Sequence, residues 1–154
     1  MSGSFDPIVV GRLESAAWVA YYRRNWLGFL RSALALSRQV AGLTWPVTIL
    51  CSSLVLRAVR LWAPIPDNDP DGARRVMERF YRILKRGTAS QFDPARAAAL
   101  ELDWWRVHRD NQYGDGETDD RDLAGALASL YAHLYDVPET LVRVAAEERT
   151  RAMR

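Results

Sequence analysis

The chain has 154 residues, 49% of them apolar and 26% charged, and a formal net charge of +2. That length suits one domain with a real core, and the composition excludes a disordered or fibrous chain. One cysteine, Cys51, excludes an internal disulfide framework, and two histidines leave few ways to build a hydrolase triad.

Charge is spread unevenly. Residues 1–63 hold seven arginines against Asp6 and Glu14, and Lys85 is the only lysine. GC-rich coding accounts for the arginine bias, while the basic first third favours an anionic partner. The first fifteen residues lack the basic start, apolar centre and cleavage site of a secretory signal, so the expectation is a cytoplasmic protein.

Apolar spacing reads as helix throughout. Residues 1–10 form an expected flexible arm, and residues 11–154 a single all-α domain, a bundle of five or six helices. The first helix is expected from Gly11 to Ala41. Trp18, Tyr22, Trp26, Phe29, Ala33, Leu36 and Val40 recur at three- and four-residue steps on one face. Leu27, Leu30 and Leu34 widen that face, and Arg24, Arg31 and Arg38 repeat on the other side. Such an aromatic seam beside arginines suits a homodimer interface or contact with another protein. A second helix, Pro46–Trp62, is apolar on most sides. Val40–Leu56 carries no charge, but Pro46 shortens the run that could span a bilayer, which favours a buried core helix. Peripheral membrane contact through residues 11–62 is the alternative.

A proline-bounded turn then leads into Asp67-Asn68-Asp69-Pro70-Asp71-Gly72, with Glu78 beyond. This matches the spacing of a calcium loop, making Asp67, Asp69, Asp71 and Glu78 candidate Ca2+ ligands. The flanks oppose it. Pro64 and Pro66 break any incoming helix, and Arg74 and Arg75 bring positive charge to the cation. Asp69 reads better as the N-cap of a third helix, Pro70–Arg86, with Pro70 in its first turn and Gly87 as its stop. That helix is expected to bury Val76, Met77, Phe80, Ile83 and Leu84 and to expose Arg75, Arg79, Arg82 and Arg86. No metal or cofactor is therefore favoured.

Asp93-Pro94 opens a fourth helix, to about Gln112, bearing Glu101, Trp104, Trp105 and His108. At 100° per residue these side chains share a sector, extended by Asn111 and Gln112. An acid, an imidazole and two indoles suit a pocket for an apolar small molecule with one polar handle. The same groups suggest an enzyme, with His108 as base and Glu101 as its orienting acid. The two lie roughly 10.5 Å apart along the axis, so a third group such as His133 would have to complete the site.

Asp119 or Asp120 caps a fifth helix with a Leu123, Leu127, Leu130 and Leu134 stripe. A last helix follows Asp136-Val137-Pro138 and carries Leu141, Val144 and Ala145. Residues 132–145 resemble a DNA-binding helix-turn-helix, which implies that Thr140 and Arg143 face the groove. Asp136 replaces the usual glycine of the turn, and Glu139, Glu147 and Glu148 oppose phosphate binding. Phosphate loops, zinc spacings, nucleophile elbows and dinucleotide fingerprints are absent from the sequence. The expectation is a helical binding or interaction protein, ahead of a small cofactor-independent enzyme and of a DNA-binding regulator.

Overall fold

The computed structural model describes residues 12–13, 16–17, 19–21, 23–41, 44–87, 91–114 and 118–153, the side chains of residues 37–41 excepted. Everything regular in it is helix, so the chain is all-α. We number the helices with defined bounds α1 (Trp26–Ala41), α2 (Trp45–Trp62), α3 (Pro70–Gly87), α4 (Pro94–Tyr113), α5 (Asp120–Tyr135) and α6 (Glu139–Ala152). With the helical residues between positions 12 and 21 the count is seven, above the five or six expected. The expected arm at residues 1–10 lies outside the described residues, as do Trp18 and Tyr22 and the side chains of Arg38 and Val40.

The long first helix is corrected: it breaks before α1. Arg24 adopts left-handed backbone, φ 53°. Its N–H donates to the carbonyl of Tyr21 and that of Asn25 to the carbonyl of Ala20, at 2.9 and 2.8 Å. This pair of bonds is a Schellman ending, with arginine where glycine is usual. Asn25 then starts α1, its Oδ1 accepting from Gly28 N–H at 3.0 Å. An aspartate does the same at three later helix starts. Asp69 accepts from Gly72 N–H at 2.7 Å, Asp93 from Arg96 N–H at 2.7 Å, and Asp119 from Asp122 N–H at 3.1 Å. Asp119 is part of a full capping box, since the Asp122 carboxylate accepts the Asp119 N–H at 2.9 Å.

Contacts resolve the chain into two compact units, residues 1–88 and 89–154, where the sequence reads as one domain. In the first, α2 packs on α1 and α3. Phe29 and Ala33 of α1 are buried, but Leu27 is exposed rather than part of the apolar face. On α3, Val76 and Met77 are buried as expected, and Tyr81 is buried while Phe80, Ile83 and Leu84 are half-buried. Arg75, Arg79, Arg82 and Arg86 are exposed.

The expectation that α2 is buried on most sides is also corrected. Only 39% of its length is buried. The buried positions are Thr48, Cys51, Ser52, Leu54, Ala58, Val59 and Trp62, mostly small, while Trp45, Ile49 and Leu50 face outward. By length and composition this is the one helix among the described residues able to cross a membrane. Burial raises the proton affinity of the Cys51 thiol, which keeps it a small neutral packing group.

In the second unit α5 lies between α4 and α6. Leu123, Ala124, Leu127, Ala128 and Leu130 of α5 are buried, as are Ala97, Ala98, Leu102, Trp104, Trp105 and Val107 of α4. A second Schellman ending closes α5. Asp136 is left-handed, φ 53°, and Val137 N–H donates to the Ala132 carbonyl at 3.1 Å. Helix α6 buries Ala146 and Thr150 and turns Leu141, Val144 and Ala145 to solvent, the reverse of an apolar core stripe.

Candidate functional site

The sector of α4 singled out by the sequence splits in two when folded. Trp105 and Glu101 form one part: the indole Nε1–H donates to Glu101 Oε1 at 3.1 Å. One carboxylate oxygen is thus committed to an indole one turn along the same helix. Trp104, His108 and Arg149 form the other part. The Trp104 and His108 rings are 6.2 Å apart, and the Arg149 guanidinium lies over the Trp104 indole at 5.0 Å. Arg149 also sits 5.8 Å from the Tyr131 ring centroid, and its Nη1 donates to the Tyr131 hydroxyl at 2.7 Å. A cation between two aromatic faces is held by their quadrupoles and ties α6 to α4 and α5.

His108 is buried, and its proton affinity falls below the ordinary histidine value. Loss of hydration is the first cause and the positive charge of Arg149 the second. The imidazole is therefore neutral near pH 7, with an accepting nitrogen. It lines a partly open cleft of about 310 Å³ at the C-terminal end of α4, with Asn111, Gln112, Asp120, Leu123, Thr150 and Met153. Asn111 Nδ2 donates to Asp120 Oδ1 at 3.0 Å, which joins the end of α4 to the start of α5. Neither indole lines this cleft. A second cleft of about 450 Å³ shares Asp120 and Thr150 and adds Arg121, Ala124, Arg143, Glu147 and Arg151.

His133 does not join His108. Its Nε2 lies 2.9 Å from the Asp93 carbonyl oxygen and its ring 6.3 Å from that of Phe92, at the opposite end of α4. Fifteen residues of helix separate Asp93 from His108, roughly 22 Å of axial rise. Thr140 and Arg143 are both exposed on α6, with exposed Leu141 and Val144 between and beside them.

At the calcium-like motif each carboxylate with a described contact has an organic partner. Asp69 caps α3 and lies 4.0 Å from Arg75, Asp71 lies 3.8 Å from Arg74, and Glu78 pairs with Arg82. A side chain at Gly72 would place its Cβ 2.0 Å from Asp69 Oδ2, so the motif's glycine makes room for the folded-over cap. Among the described residues no group of three His, Cys, Asp or Glu side chains is placed to hold a metal ion.

Family models, curated proteins and solved structures were all compared with this chain, and none matches. Function therefore rests on the geometry. The residues that sequence reasoning missed are Arg149, Asp120, Thr150 and Met153. All come from α5, from α6 or from the residue that ends it, and helical periodicity carries no information about which turns of separate helices meet.

Proposed function

We propose that this protein is a non-catalytic binding protein whose small-molecule site is the polar cleft at the C-terminal end of α4. The observation that carries this reading is neutral, buried His108 in the wall of a 310 Å³ cleft beside two side-chain amides and the Asp120 carboxylate. Such a wall offers hydrogen-bond acceptors together with the apolar surface of Leu123 and Met153. It suits a compact polar molecule with donor groups rather than the apolar molecule with one polar handle expected from sequence. Binding is favoured over acid–base catalysis because Glu101 accepts from Trp105 and His133 contacts Asp93, so neither stands ready to orient His108.

The test is native mass spectrometry of protein purified without detergent, followed by a thermal-shift screen of polar metabolites. The expected result is one compound class that raises the midpoint of the wild type and fails to raise that of His108→Gln or Asn111→Ala. A screen in which no polar compound stabilises the wild type would remove the reading.

A further inference from the structure

Helix α2 is packed inside out along its first half, while Leu54, Val59 and Trp62 farther along are buried in the ordinary way. Thr48, Cys51, Ser52 and Ala58, each 0% exposed, face the rest of its unit, while Trp45, Ile49 and Leu50 stand 56%, 53% and 40% exposed. In water the larger apolar groups belong inside, since burying one contributes about 1.5–3 kcal/mol. The arrangement seen here is the one favoured where the surroundings are themselves apolar: small residues let helices approach, and large apolar side chains point away from the protein. Two of the three hydroxyls on α2 follow the same logic, while the buried Ser52 Oγ has no hydrogen-bond partner among the described residues. Thr48 Oγ1 donates to the Thr44 carbonyl at 3.0 Å and Ser53 Oγ to the Ile49 carbonyl at 2.8 Å. Ser53 lies on the outward face, and this bond satisfies its hydroxyl without water.

The outward face changes character along its length. Trp45, Ile49, Leu56 and Arg60 fall within a 60° sector at helical spacing, with Arg57 beside them. Ser53, Leu56, Arg57, Arg60 and Leu61 line a cleft of about 390 Å³. Neither Arg57 nor Arg60 has an acidic partner among the described residues. No Asp or Glu occurs between Glu14 and Asp67, a stretch holding six arginines.

From these observations we infer that the outward face of α2 docks on an anionic lipid bilayer. The Trp45–Leu50 half lies at the acyl boundary, and Arg57 and Arg60 hold lipid phosphates at the headgroups. An apolar half next to an unpaired cationic half complements the two layers of a bilayer leaflet. A spanning helix is disfavoured because α1 and α3 cover its other face and two arginines stand in its last turns. The surface lies on different residues from the α4 cleft and does not depend on it.

The experiment is cosedimentation of the full chain with vesicles of pure phosphatidylcholine and of an equimolar mixture with phosphatidylglycerol, in low and high salt. Binding is expected to the mixed vesicles only, weakened by salt and released by alkaline carbonate. Ile49→Glu should reduce partitioning by more than about tenfold, and R57Q/R60Q by about twenty-fivefold. Both variants alter exposed side chains, and an unchanged circular dichroism melt verifies that they fold. Absence of pelleting by the wild type, equal pelleting on both vesicle types, or wild-type partitioning of folded Ile49→Glu would each overturn the proposal. Resistance to carbonate would also overturn it, in favour of a spanning helix.

Discussion

Helices α2 and α4 are of similar length and bury the same number of side chains, seven each, yet they are built on opposite principles. The more apolar of the two, α2, turns small and hydroxyl-bearing residues inward along its first half and leaves Trp45, Ile49 and Leu50 outside. Helix α4 buries both of its tryptophans, and several polar groups nearer its surface pair: Arg106 bridges Asp103 and Asp110 at 3.0 and 3.1 Å, and Asn111 reaches Asp120. Hydropathy alone would have assigned the two helices the other way round. Which side of a helix is buried depends on what its neighbours offer, and α2's neighbours offer only one face.

The largest test of this contrast is a pair of tryptophan truncations. Trp104→Ala should destabilise the protein by about 3–5 kcal/mol, the usual cost of emptying a buried aromatic site. Trp45→Ala should change stability in buffer by less than about 0.5 kcal/mol, as for other exposed sites. Urea denaturation of both variants reads the difference, and equal losses would mean that α2 is not inside out in solution.

The next effects are at helix ends. Asp119→Ala removes the capping box of α5 and should cost about 1 kcal/mol, while Arg24→Gly should stabilise by a similar amount by relieving the left-handed arginine. Thermal midpoints moving in opposite directions would confirm both motifs, and an Arg24→Gly that destabilises would restore the continuous first helix.

A smaller effect is expected from pH. The folded-state proton affinity of His108 lies below its ordinary value of about 6.5. The unfolded chain therefore binds more protons in this range. Stability is complete above the unfolded pKa and is lost as pH falls through the window beneath it, toward the folded pKa. His108→Gln should flatten that part of the stability profile and leave the slope above neutrality unchanged. Arg149, whose charge acts on the histidine, and Asp120, which lines the same cleft, remain in the variant. The smallest effect is at Leu141, which is 72% exposed: Leu141→Gln should fall within about 0.5 kcal/mol of wild type.

Much of the architecture was legible because helix starts are chemically explicit. Asp69-Pro70, Asp93-Pro94 and Asp119-Asp120 each place a side-chain acceptor before a first turn, and all three helices begin there. The break at Arg24 was not legible. Glycine signals most left-handed endings, and the aromatic spacing from Trp18 to Phe29 runs unbroken through this one. The candidate site was legible only as far as α4 extends. Its residues share a sector of one helix, and the Trp105–Glu101 bond is local to that helix, but Arg149, whose charge acts on His108, comes from α6, and its position depends on tertiary packing. The calcium-like spacing has a second reading for a related reason, since Asp-x-x-Gly also describes an aspartate folded over the third residue of a helix.

The Arg149 guanidinium above Trp104 gives α6 an optical signature. An indole excited state shifts charge across its ring, so a fixed cation on one face changes the energy and yield of its emission. Detaching α6 would withdraw that cation and hydrate a ring now only 1% exposed. With the other five tryptophans replaced by phenylalanine, Trp104 would report opening of the α6 hairpin on a stopped-flow timescale without an attached dye.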